Sequence, residues 1–223
     1  MRGFDSGREL LKYIAIITMT IDHIGAVLFP DYEFLRWIGR LAFPLFAYLL
    51  ILGMEDTHNI RNYFMRLFVF AIVSQVPFFL AIGSGPFEHL NIFFTLAFGL
   101  LFVYYFKRNS VFALLPLLVA FVLPIDYSVY GIAAMGCMYI LTKNVKLGAV
   151  LFVGLNLMFL LPPSNQILSV LALPLILLHN KGTLTPTINY NKDFKMSAWR
   201  KYFFYVYYPL HLTLLYLIQV YFF

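Results

Sequence analysis

The feature that most constrains this chain is the recurrence of apolar runs of ~17–22 residues, close to the ~20 residues that carry a helix across a ~30 Å hydrocarbon core. With 62% hydrophobic and 12% charged residues among 223, a soluble domain of this size has too little interior to hide them. The runs lack the two-residue alternation of membrane strands, which excludes a barrel reading. The expected fold is therefore all-α, a polytopic transmembrane helix bundle. Spans are expected near 10–29, 38–54, 63–82, 90–106, 111–124, 129–142, 146–161, 166–179 and 202–222, about nine in all.

Charge placement orients the bundle. Counted over alternate loops and span ends, 14 of the 16 Lys and Arg fall on one side, and only Arg36 and Arg40 fall on the other. The positive-inside rule then makes the amino terminus cytoplasmic and leaves the carboxyl terminus outside. The net charge of +6 is spread over short loops rather than gathered in a stripe, so inner-leaflet lipid is the expected counter-charge and nucleic acid is not. The first run carries Asp22 and His23 and lacks a small-residue cleavage site, which reads as a retained span rather than a signal peptide. The basic loop over about 180–201 is expected on the cytoplasmic surface, so residues 1–223 form a single domain. Cys137 is the only cysteine, which excludes an internal disulfide.

Ionisable side chains at membrane depth cost at least ~2.5–3.5 kcal/mol each near the centre of a span, so they call for a functional account. Asp22, His23, Arg40 and His211 stand out. Asp22 and His23 lie ~18–20 Å along a helix starting at Leu10, in the outer third of the bilayer, and project ~100° apart. Gly25 follows and permits close approach. Arg36 and Arg40 are spaced i, i+4 on one face, and an Asp22–Arg40 ion pair is one reading of their presence. Pro44 frees the carbonyl of Arg40 and is expected to kink the helix there. His211 falls ~14 Å into the last span, just after Tyr208 and Pro209. Gln75, His89, Asn91 and the Asp126-Tyr127 pair also fall in the outer half. The five histidines (His23, His58, His89, His179, His211) show no i, i+4 pair, so no metal is expected.

Two segments, Met19-Thr20-Ile21-Asp22-His23-Ile24-Gly25 and Leu35-Arg36-Trp37-Ile38-Gly39-Arg40-Leu41-Ala42-Phe43-Pro44, together with Ser74-Gln75-Val76-Pro77-Phe78, Leu90-Asn91-Ile92-Phe93-Phe94-Thr95 and Tyr207-Tyr208-Pro209-Leu210-His211, resemble the TraX family. The likeness is specific over roughly the first 106 residues and the last 20, and between them only hydropathy is shared. That family's best-known member is a conjugal-transfer protein that acetylates the amino terminus of pilin, and the family looks related to membrane acyltransferases such as heparan glucosaminide acetyltransferase.

The resemblance implies a multi-pass enzyme of the cell membrane that takes an acetyl group from cytoplasmic acetyl-CoA, or another acyl-CoA. The group would pass to an amine or sugar acceptor on the outer side, a pilin amino terminus among the candidates. In that scheme His23 is the expected general base, flanked by Asp22. Arg40 stabilises the oxyanion with Asn91 or Gln75, and His211 is the second candidate base. Arg36 and Tyr208 complete the expected substrate-binding set with Gln75 and Asn91. Lys12, Arg61, Arg66, Lys107 and Arg108 are the expected inner-face contacts of the acyl-CoA phosphates. Two other classes fit the same residues: a small-molecule transporter with a polar outer cavity, and a structural subunit of a secretion or pilus system.

Overall fold

The computed structural model describes residues 5–160, 164–184 and 198–222, with backbone alone over 198–201. The described residues form ten α-helices: α1 Ser6–Val27, α2 Glu33–Gly39, α3 Ala42–Asp56, α4 Ile60–Ile82, α5 Ile92–Phe106, α6 Leu114–Val122, α7 Ser128–Lys143, α8 Val145–Leu157, α9 Leu173–Asn180 and α10 Ala198–Phe222. The short α2 and the following α3 make one pass between them, so ten helices make nine alternating passes, at the places hydropathy puts them. Four stretches, Ser6–Val27, Glu33–Asp56, Ile60–Ile82 and Tyr202–Phe222, are long and apolar enough to cross a bilayer, and four further apolar helices are shorter. The expected cytoplasmic loop falls largely outside the described residues.

Helix ends follow local chemistry. Asp5, Asn59, Asn91 and Asn144 cap α1, α4, α5 and α8, each side chain accepting from a backbone N–H of the first turn. Gly83 ends α4 in the left-handed conformation at φ 72°, which a residue with no Cβ adopts without strain. Helicity lapses between α2 and α3 at Arg40 and Leu41, four and three residues before Pro44, where the proline ring excludes the usual carbonyl packing.

The eighth pass begins as a 3-10 helix, Asn165–Ala172, before α9. At ~2.0 Å per residue the 3-10 half rises farther than an α-helix, so sixteen residues reach about 28 Å, nearly a bilayer core. Its threefold repeat eclipses every third side chain, and the buried positions are Gln166, Ser169 and Ala172.

Lipid supplies little hydrophobic drive between helices, so the bundle closes by tight packing. Helices α3, α5 and α7 form its centre, where Leu45, Tyr48, Ile51, Leu96, Leu100, Met135 and Met138 are almost fully buried. Outward faces of α4, α6, α8 and α10 keep exposed aliphatic and aromatic side chains, such as Val73, Leu118, Val150 and Leu214. Gly148 lets the α7–α8 hairpin close, since a Cβ there would lie 2.3 Å from the Leu141 backbone.

One end of the bundle holds most of the basic residues. There Glu55 bridges Lys107 at 2.9 Å and Lys143 at 2.8 Å, and Arg8 pairs with Asp5 and Asp56. At the opposite end the α4–α5 and α6–α7 loops are joined by a parallel bridge, Leu90 to Ile125.

Candidate functional site

The end opposite the basic residues carries a cavity of about 200 Å³ lined by Asp22, His23, Arg36, Arg40, Phe78, Ile82, His89, Asp126 and Tyr127. Three of the four residues singled out for membrane depth line it, and the fourth, His211, touches one of them.

Asp22 is the charge centre. Its Oδ2 accepts from Arg36 Nη1 at 2.6 Å and its Oδ1 from Arg40 Nη2 at 2.9 Å. The Asp22–Arg40 pair expected from the sequence is therefore half of a three-residue cluster. Two guanidinium groups on one carboxylate carry a net single positive charge, which the Asp126 carboxylate on the same cavity offsets when ionised. The cluster depends on Gly39, where a Cβ would fall 2.0 Å from Asp22 Oδ1 and 2.2 Å from Asp22 Cβ. Gly25 likewise admits Leu35, at 2.7 Å from a built Cβ. These two glycines let α2 lie against α1 and aim both arginines at one acid.

His23 Nδ1 and His211 Nε2 are 2.7 Å apart. The tautomers follow from the remaining bonds. Carbonyl oxygen accepts only, and Tyr207 O lies 2.9 Å from His211 Nδ1, so that nitrogen carries hydrogen. With both rings neutral, His211 Nε2 must accept, and His23 Nδ1 donates to it. His23 Nε2 is then left with a lone pair, and no hydrogen bond to it occurs among the described residues. His211 is buried, stacked between Tyr207 at 5.0 Å and 11° and His23 at 5.0 Å and 29°. Tyr208 meets both imidazoles edge-on at 5.9 and 5.5 Å, and its buried hydroxyl has no hydrogen-bond partner among the described residues. The two histidines, ~6 Å apart in depth by rise along their own helices, meet side chain to side chain, a contact that rise along one helix cannot predict because it says nothing of register against another.

Gln75 and Asn91 are spent on the loop above the cavity. Gln75 Nε2 donates to Pro86 O at 3.0 Å and His89 O at 2.7 Å. Gln75 Oε1 accepts from both nitrogens of Asn91, whose Nδ2 also donates to Ala71 O at 2.7 Å. These bonds hold His89 on the cavity rim. Across from it, Asp126 is fixed through its backbone, with N–H to Leu90 O at 2.8 Å and its carbonyl accepting from Thr95 Oγ1. Tyr127 adopts φ 60° and stacks on Phe43 at 4.3 Å. Burial raises the Asp126 carboxyl to about 6, with Arg40 opposing the rise.

Residues from the middle of the chain, which no motif marked, complete the site. Arg40 Nη1 donates to Gln166 Oε1 at 3.2 Å, and Gln166 Nε2 donates to Tyr130 Oη at 3.0 Å. Tyr130 Oη donates to Asn156 Oδ1 at 3.0 Å, and Asn156 Nδ2 donates to Phe152 O at 2.8 Å. Ser169 Oγ also donates to Asn156 Oδ1, at 2.6 Å. Asn156 carried a sequence signal, as a lone amide in an apolar run where an unpaired polar group is costly, whereas Gln166 follows Ser164 and Asn165 and looks like an ordinary loop residue.

The five basic residues expected at the donor end separate. Lys107 and Arg108 line a second cavity of about 210 Å³ with Met54, Glu55, Thr57, His58, Ile60 and Tyr104. Arg108 lies over the Tyr104 ring at 3.7 Å. Lys12 pairs with Glu9 at 2.7 Å and Arg66 lies over Tyr63 at 5.3 Å; neither they nor Arg61 line that cavity. Among the described residues no cluster of three or more His, Cys, Asp or Glu could hold a metal.

Comparison with known proteins adds kinship. The profile described as "TraX protein" matches residues 7–219. A probable fimbrial assembly protein FimC, serogroup H1, of Dichelobacter nodosus is 30% identical over 239 aligned positions covering 96% of each chain. A protein named TraX from Escherichia coli is 30% identical over 131 residues, 57% of this chain and 52% of that one. An uncharacterised protein of Rickettsia prowazekii is 34% identical over 104 residues, 47% of this chain and 39% of its own. No solved structure matches.

Proposed function

This chain belongs to the TraX family, and from that premise we propose that it is an acyltransferase of the cell membrane, moving an acetyl group from cytoplasmic acetyl-CoA to an amine or sugar acceptor at the outer side. The relatives named for pilus and conjugation proteins make a pilin amino terminus one candidate acceptor. The observation that carries the reading is the His23–His211 pair, which leaves an unprotonated imidazole nitrogen beside a small cavity lined by the guanidinium groups of Arg36 and Arg40.

In this scheme the acceptor nitrogen or oxygen attacks the thioester carbonyl carbon while His23 Nε2 takes its proton. Arg40 and Arg36 stabilise the oxyanion that forms, and low dielectric strengthens that interaction. The carbonyl is restored as the carbon–sulfur bond breaks. His23 returns the proton to the leaving thiolate, so free CoA thiol and the acetylated acceptor are the products. His211 accepts the His23 Nδ1–H throughout and holds the ring in the tautomer the step needs. Tyr208, expected among the substrate contacts, is fully buried edge-on against both imidazoles and does not line the cavity. The cavity at the basic end, with Lys107, Arg108 and His58, is the proposed seat of the nucleotide phosphates.

The test uses purified protein in nanodiscs with acetyl-CoA. The acceptors are a short peptide with a free amino terminus, the same peptide blocked, and glucosamine. Acceptor-dependent release of CoA thiol with acetylation of one acceptor is expected. Intact acetyl-CoA with every acceptor would overturn the reading and return the protein to the transporter or structural classes.

A further inference from the structure

Arg40 sits at the end of a one-way chain of hydrogen bonds. It donates to Gln166, which donates to Tyr130, which donates to Asn156, which donates to the Phe152 carbonyl. Every link has a donor on the cavity side and an acceptor on the far side. No amide in the chain can turn over without opposing donor to donor or acceptor to acceptor. Gln166, Asn156 and Ser169 are at most 7% exposed, so water cannot substitute for a lost partner and a flipped state is costly.

A guanidinium has five N–H groups. In Arg40, Nε donates to Arg36 O at 3.2 Å, Nη1 to Gln166 and Nη2 to Asp22. Among the described residues one N–H on each Nη remains for a ligand. Asp22 alone would hold the group by one edge. Gln166 takes the second Nη and fixes the torsion about the Cδ–Nε bond that turns the planar guanidinium, deciding where the two spare donors point.

We infer that Gln166 is a positioning residue that aims the two unused N–H groups of Arg40 at the reacting carbonyl, with Tyr130 and Asn156 as its anchor in α7 and α8. The inference rests on the acyl-transfer reading for its chemistry, and on the hydrogen-bond chain for its geometry. It assigns a role to the stretch of chain between 107 and 200, where the sequence carried no recognisable motif. It also explains why an extended 3-10 helix is kept at the mouth of the eighth pass: its register puts Gln166 level with Arg40 while Ser169, one 3-10 turn on, reaches Asn156.

Gln166→Met keeps the length and removes both bonds. It should lower kcat about tenfold or more while the KM for acetyl-CoA stays within about threefold, because binding does not need the spare donors. Tyr130→Phe, which never touches Arg40, should act in the same direction and more weakly. The deciding measurement is a double-mutant cycle. In an Arg40→Lys background, which has no planar fork to aim, Gln166→Met should have almost no further effect on kcat. Fully additive losses would overturn the inference, and so would an unchanged kcat in Gln166→Met. If the unmodified protein turns over no acetyl-CoA, the function reading fails separately. The coupling is then read from thermal unfolding of the same four proteins, where additive shifts would overturn the hydrogen-bond chain itself.

Discussion

His23 Nδ1 donates to His211 Nε2 across 2.7 Å, although the two residues are 188 positions apart, on the first and last passes. In the proposed reaction the contact makes His23 the base and His211 its support. His211 is committed on its far side to the Tyr207 carbonyl, so within the neutral pair only His23 has a nitrogen available to take a proton.

That division sets the first prediction. His23→Ala should lower acetyl transfer by about 10²–10⁴, the usual cost of removing a general base, while acetyl-CoA affinity by calorimetry stays close to wild type. His211→Ala should cost less, because His23 keeps its lone pair but loses its fixed tautomer. His211→Gln, which restores an acceptor oxygen, should recover part of the rate. A His211→Ala protein that is dead beside an active His23→Ala protein would reverse the assignment.

Removing Asp22 should destabilise more than removing either arginine. Arg40→Ala leaves Asp22 paired with Arg36, whereas Asp22→Ala strands two guanidinium groups that are 15% and 35% exposed. Breaking a buried pair typically costs about 3–5 kcal/mol, and the partial exposure of Arg36 places the expected loss at the lower end of that range. Unfolding midpoints in detergent for Asp22→Ala, Arg36→Ala and Arg40→Ala give the order directly. Equal losses would mean the cluster is not held by the shared acid.

Asp126 makes stability depend on pH. Its folded pKa, raised by burial to about 6, exceeds the ordinary carboxylate value of 3.8. The folded protein thus holds the proton more tightly than the unfolded chain, and stability falls as pH rises from about 4 to about 6. Asp126→Asn removes that penalty. It should be more stable than wild type above pH 6, by about 1–2 kcal/mol after discounting for partial exposure, with the gain vanishing below about pH 4. A gain independent of pH would show that the carboxyl does not titrate there.

Orientation is open to labelling. With Cys137 replaced by Ser, single cysteines at Phe87 and Phe222, which are 79% and 80% exposed, should react with an impermeant thiol reagent from outside intact cells. One at Arg61, at the basic end, should react only after permeabilisation. Labelling of Phe87→Cys only after permeabilisation would invert the bundle.

Hydropathy and charge alone determined the class, the nine passes and most of their boundaries, because lipid makes the cost of exposing a polar backbone or charge local to each segment. They also singled out Asp22, His23, Arg40 and His211, since an ionisable group in an apolar run is anomalous before any partner is known. The same polarity marked Gln75 and Asn91, yet their atoms are consumed in holding a loop, a distinction no one-dimensional pattern carries. Only the tertiary structure decided that Arg36 shares Asp22 with Arg40, that His23 meets His211, and that Gln166, Tyr130 and Asn156 stand behind the site. Those relationships depend on the register and close approach of helices far apart in the chain. The packing around residues such as Gly39 and Gly25 sets that register, and a hydropathy profile averages them away.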